Sequence, residues 1–124
     1  MTRSFLYTKE DPNGYGDETH DSYVYQYDLN TGALRVVMEL DHRRDAADAA
    51  KYNVGGRSRY GAWEYGAMLD VSDQLGGSGK SGTFLLAVQP HTWRGERYRG
   101  VDGGTLRPNE NQASQILVIT GLPR

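Results

Sequence analysis

Trp63-Glu64-Tyr65-Gly66-Ala67-Met68-Leu69-Asp70-Val71-Ser72, followed after a glycine loop by Gly82-Thr83-Phe84-Leu85-Leu86-Ala87-Val88-Gln89-Pro90-His91-Thr92, decides the fold class. Both stretches are short apolar runs of strand length bounded by turn-forming residues, which points to β-strands and not helices. Each also bears polar groups that a plain core strand would not need, Glu64 in the first and Gln89 and His91 at the end of the second. The loop between them, Ser72 to Ser81, contains Gly79-Lys80-Ser81 and so imitates a phosphate-cradling loop. Gln74 and Leu75 stand where that pattern needs its first glycine, and a strand follows in place of the helix whose N-terminus would face the phosphates. The loop therefore reads as a flexible turn.

Working outward, Ser4 to Thr8 reads as a short strand ending in an acidic, glycine-rich loop, Glu10 to Asp21. Tyr23, Tyr25 and Tyr27 alternate with Val24, Gln26 and Asp28, and Leu34, Val36, Met38 and Leu40 alternate with Arg35, Val37 and Glu39. That period of two is the mark of strands with one buried face. Asp28-Leu29-Asn30-Thr31-Gly32 between them has the chemistry of a hairpin turn. Asp41 to Tyr52 is the one expected helix, with Asp41 as N-cap and a stripe of only Ala46, Ala49 and Ala50. Gln115 to Thr120 reads as the last strand. The excursion Thr92 to Ala113, about 22 residues, is longer than ordinary connections and reads as a functional, Ω-like or partner-binding loop.

A chain of 124 residues suits one domain, and is too short for a complete propeller of four-stranded blades at roughly 40 to 50 residues each. Hydrophobic content of 37%, 16 glycines, and nine tyrosines against two phenylalanines favour short strands and many turns. The expected fold is thus all-β, a single partial β-propeller module over residues 1–124 of about one and a half to two blades, with one short helical excursion. With 14 basic and 16 acidic residues there is no field to hold a nucleic acid. Lack of cysteine excludes disulfides, zinc thiolates and thiol nucleophiles, leaving histidines and carboxylates to carry any chemistry. No apolar run is long enough to span a bilayer, and the polar N-terminus is not a signal peptide, so the chain as written is expected to be soluble.

Asp11, Asn13 and Asp17 surround two glycines in a turn that reads first as solvated and acidic, and second as a source of oxygen ligands for calcium. His20, His42 and His91 lie in three different segments, each reading as a hydrogen-bonded surface or turn histidine. A fold could still bring His91 beside Glu64, since both lie on or just after neighbouring strands. No serine sits in a nucleophile elbow, so no catalytic triad is assigned. Arg94, Arg97 and Arg99, interleaved with Trp93 and Tyr98, read as a solubilising or partner-contact loop ahead of a substrate clamp.

Tyr23-Val24-Tyr25-Gln26-Tyr27-Asp28 with its Asn30-Thr31-Gly32 turn, Trp63-Glu64 leading to Leu69-Asp70-Val71-Ser72, and Gly82 to Leu86 leading to Val88-Gln89-Pro90-His91 together resemble the C-terminal region of the PhoX-type alkaline phosphatases. Ser114 to Ile119 resembles the last strand of the same family. The resemblance implies an extracytoplasmic β-propeller module related to calcium-holding phosphomonoesterases. It makes Glu64 and His91 the matching polar positions, calcium the expected cation and a phosphate ester the expected substrate. It also implies that most metal ligands lie in sequence this chain does not carry, so that the module is not catalytic alone and pairs with another propeller segment or with its own copies. The alternative is a structural or interaction protein that assembles into oligomers or filaments through exposed strand edges.

Overall fold

The computed structural model describes residues 4–11, 19–42, 46–47, 60–76, 81–91 and 114–124. Six strands form two antiparallel sheets. β1 (Phe5–Lys9), β2 (Tyr23–Asp28) and β3 (Leu34–Glu39) make one in that order, and β4 (Trp63–Asp70), β5 (Ser81–Pro90) and β6 (Gln115–Pro123) make the other. The protein is all-β, as its alternating runs and turn residues require. One turn of helix, α1 (Ser72–Leu75), falls in the stretch expected to be loop, held by Gln74 and Leu75 N–H donating to the Val71 carbonyl. Of the helix expected over 41–52, Ala46 and Ala47 are helical and Asp41 and His42 are not, while the rest lies outside the described residues, as does most of the Thr92 to Ala113 excursion.

The β2–β3 hairpin forms where the sequence places it. Asp28 Oδ1 accepts the backbone N–H of Asn30 at 2.8 Å, and the turn closes with Gly32 N–H on the Asp28 carbonyl at 2.8 Å. Gly32 has φ +75°, a conformation in which a Cβ would crowd the backbone. Accepting the Asn30 amide holds the Asp28 carboxyl below its ordinary range.

The core lies between the two sheets. Val24 from the first and Trp63, Tyr65, Leu86 and Val88 from the second are buried together, with Tyr7, Met38 and Leu40 packed against them. Burying a side chain such as Leu86 is worth roughly 1.5–3 kcal/mol. Burial pushes the Tyr65 phenol up to about 12.

Bulges decide which residues reach that core, and here the simple alternation fails. In β2–β3, Val24 opposes Met38 but Tyr25 opposes Val36, so Val37 is the extra residue. Met38 and Leu40 therefore turn inward, whereas Leu34 and Val36, expected on the same face, are exposed. In β4–β5, Tyr65 opposes Val88 and Met68 opposes Leu86, so Gly66 and Ala67 together span one partner, Ala87. A Cβ on Gly66 would lie 3.1 Å from that of Ala87, so glycine permits the close approach. Past the bulge Met68 faces in and Leu69 faces out.

Two polar constructions cross the core. Arg35 Nε donates to Gln26 Oε1 at 2.7 Å, Gln26 Nε2 donates to the Tyr7 hydroxyl at 2.6 Å, and that hydroxyl donates to the Pro123 carbonyl at 2.6 Å. At the other end, buried Asp21 accepts the Gly61 N–H at 3.0 Å and lies 3.0 Å from His42 Nδ1. The His42 ring stacks on Trp63 with centroids 4.8 Å apart. Each fixes the first sheet to the second by groups that would be costly to leave buried and unmatched.

Candidate functional site

Trp63 and Tyr65 point into the core, so Glu64 between them points away from it. On β5 the same alternation places Val88 and Pro90 inside and Gln89 outside, and Glu64 opposes Gln89. His91, one step past the strand, turns back with its N–H on the Gln89 carbonyl at 3.1 Å and its Nε2 hydrogen-bonded to Glu64 Oε1. Asp11, just beyond β1, reaches the same Glu64 carboxyl. Two of the five residues picked out as metal ligands, Glu64 and His91, thus meet on the second sheet, with Asp11 of the first near enough to raise the Glu64 pKa. Asn13 and Asp17 lie outside the described residues.

Burial, and then the hydrogen bond with Asp11, raise the Glu64 pKa, while the His91 hydrogen bond opposes them. Glu64 therefore keeps its proton more readily than an ordinary glutamate. Glu64 and His91 form a hydrogen-bonded carboxyl–imidazole pair. Calcium is another matter, since it takes about six to eight oxygen ligands. Among the described residues no group of three or more His, Asp or Glu side chains is arranged to hold a metal ion. The two carboxylates of this cluster do not make a calcium site by themselves.

His20, read as a surface histidine, does behave as one, bonded to Glu10 at 2.9 Å and stacked on Tyr23. His42 does not. Its side chain is wholly buried between Asp21 and Trp63, because the chain leaves β3 at Leu40 and dives under the start of β4. No short spacing links these three residues, and the sequence offers no signal for the pairing.

A second concavity lies about 20 Å along β4 from Glu64. It is a cleft of about 340 Å³ lined by Phe5, Tyr7, Met68 and Phe84, with Asp70 and Arg124 as its charged groups. Arg124 donates to Asp70 and Asp73, each at 3.1 Å. Burial tends to raise the Asp70 pKa, but hydrogen bonds from the Ser72 side chain and backbone, with Arg124, hold it below the usual carboxylate range.

Compared with known proteins, the chain matches no family model, no curated protein and no solved structure. Among the described residues no helix is long and apolar enough to cross a membrane.

Proposed function

We propose that this chain is a two-sheet segment of a PhoX-like phosphatase propeller, extracytoplasmic as that resemblance implies, whose Asp11–Glu64–His91 cluster forms one wall of a phosphate-ester site. The observation that carries the reading is the meeting of Glu64 and His91, two residues 27 apart in sequence that the resemblance singles out together. In this role His91 holds the Glu64 carboxylate in place as a metal ligand. Calcium, taken by the oxygen donors of residues 11 to 17 with Glu64, would neutralise charge on the phosphoryl group. Other sheets complete the site, so the isolated chain binds calcium and does not turn over.

Calorimetric titration with calcium, alongside hydrolysis of an aryl phosphate, tests this. The expected result is calcium binding that weakens at least about tenfold, or about 1.4 kcal/mol, in Glu64→Gln, with no hydrolysis by either protein. Absence of binding, or equal binding by the variant, contradicts it. Turnover abolished by a chelator would instead favour a ring rebuilt from several copies.

The other reading, assembly through strand edges, draws on β1, β3, β4 and β6, each of which has one pairing partner among the described residues.

A further inference from the structure

The outer side of the first sheet carries a cluster that neither the core nor the Glu64 and His91 pair uses. Val24 and Gln26 are buried, so Tyr23 and Tyr25 of β2 face outward. Their rings stand almost at right angles, with planes 82° apart and centroids separated by 5.9 Å, and so form a corner. Tyr23 lies between two carboxylates. Glu39 stands directly opposite it on β3. On the β1 side, the Glu10 N–H donates to the Tyr23 carbonyl at 2.9 Å, and Glu10 Oε2 accepts the Tyr23 N–H at 3.1 Å. In the next row Tyr25 is flanked by Thr8 and Val36, which bring no charge.

The corner is held in shape by its own contacts. His20 stacks on Tyr23 with centroids 3.8 Å apart and planes 8° apart, and its Nε2 lies 2.9 Å from Glu10 Oε2. A ring braced in this way loses little freedom when a ligand arrives. Burial raises the Tyr23 pKa, and Glu39, Tyr25, Glu10 and Tyr60 raise it further, so the potential at this ring is negative.

We propose that the corner between Tyr23 and Tyr25, with Glu10 and Glu39 beside it, binds a free quaternary ammonium cation of the choline kind. Aromatic faces attract cations through the ring quadrupole, and nearby carboxylates add to the attraction. Hydration decides in favour of a methylated cation. A primary ammonium needs acceptors for its N–H donors, and Glu10 Oε2 already has the Tyr23 N–H and His20 as partners. A trimethylammonium group donates nothing, so its methyls can lie on the rings while the carboxylates balance its charge from a distance. The same carboxylates repel a ligand that carries its own anion, which favours choline over phosphocholine. The site shares no residue with the Asp11–Glu64–His91 cluster and is independent of calcium or phosphate chemistry.

Proton NMR of the choline N-methyl signal, titrated with the protein at low salt, tests it. The wild type is expected to move that signal upfield in a saturable way, because protons lying over a ring face are shielded. Tyr25→Phe should keep the shift, whereas Tyr25→Leu, which retains apolar bulk without a ring, should weaken binding at least about threefold. Far-UV circular dichroism verifies folding. Should Tyr25→Leu lose its strand signal, Glu39→Lys at an exposed position repeats the test and is expected to abolish the shift. Ammonium chloride at equal concentration should leave choline bound, and phosphocholine and phosphatidylcholine vesicles should bind more weakly than choline. A wild type that gives no saturable upfield shift overturns the proposal. So does binding unchanged in Tyr25→Leu or Glu39→Lys, or displacement of choline by ammonium, which would mean that the carboxylates alone attract the cation. Tighter binding to the vesicles than to choline would overturn the assignment to a free cation and place the site on a lipid headgroup.

Discussion

The first sheet keeps polar groups in its interior and rings on its exterior, whereas the second has an apolar interior and an outer side on which Leu69, Ile116 and Val118 lie at one end and Glu64 and Gln89 at the other. Arg35 and Gln26 of the first sheet point inward, Arg35 donating to Gln26 and Gln26 to the Tyr7 hydroxyl, and its outer side carries Tyr23, Tyr25 and Tyr27. The second sheet contributes Trp63, Tyr65, Leu86 and Val88 to the core, and Leu69, Ile116 and Val118 to its outside. Apolar burial between the sheets is non-directional and would tolerate several relative placements. The Arg35–Gln26–Tyr7–Pro123 relay and the Asp21–His42–Trp63 construction each accept only one placement, because a shift would strand buried polar atoms. Adhesion thus comes mainly from the second sheet and alignment from the first.

Substitutions that separate these two contributions should differ in size. Leu86→Ala removes a fully buried side chain from the centre of the second sheet and is expected to cost about 2–5 kcal/mol in urea unfolding. Tyr7→Phe preserves the ring against Phe84 while leaving Gln26 Nε2 and the Pro123 carbonyl without their shared hydroxyl. Its expected cost is about 1–3 kcal/mol. An equal loss from Tyr7→Ala and Tyr7→Phe would place Tyr7's contribution in the hydroxyl relay, and a loss from Tyr7→Ala alone would place it in packing.

A smaller effect should follow pH. The Asp70 pKa is depressed in the folded protein, so the unfolded chain binds its proton first on acidification. The stabilisation from Asp70 is therefore complete above the unfolded value of about 3.9, and is lost as pH falls through the folded one. Urea midpoints between about pH 6 and about pH 2 should fall less steeply for Asp70→Asn than for the wild type, and identical slopes would remove Asp70 from the account. The smallest effect belongs to Leu69→Ala, expected to change the stability of one copy by no more than about 0.5 kcal/mol despite the loss of a leucine. A cost near that of Leu86→Ala would mean that Leu69 is already covered within the chain.

The same contrast explains what could be read from sequence. Strand identity and the Asp28–Gly32 hairpin were legible because period-two runs and turn chemistry are local signals. Faces were not, because Val37 and the Gly66–Ala67 pair each add a residue opposite a partner strand and reverse the alternation beyond it. No composition rule marks Val37 as a bulge, although Gly66 offers a hint of close approach. At the candidate site, Glu64 and His91 could be paired in thought because they flank adjacent strands in one hairpin-like unit. Asp11 joined them only through packing of the first sheet on the second, and the burial of His42 beside Asp21 arises from the same long-range packing.

The central claim is that apolar burial from the second sheet holds the two sheets together while the Arg35–Gln26–Tyr7–Pro123 relay sets their alignment. Urea unfolding of Leu86→Ala beside Tyr7→Phe tests it most directly. The account predicts that both variants lose stability and that Leu86→Ala loses more. A larger loss from Tyr7→Phe than from Leu86→Ala would contradict it.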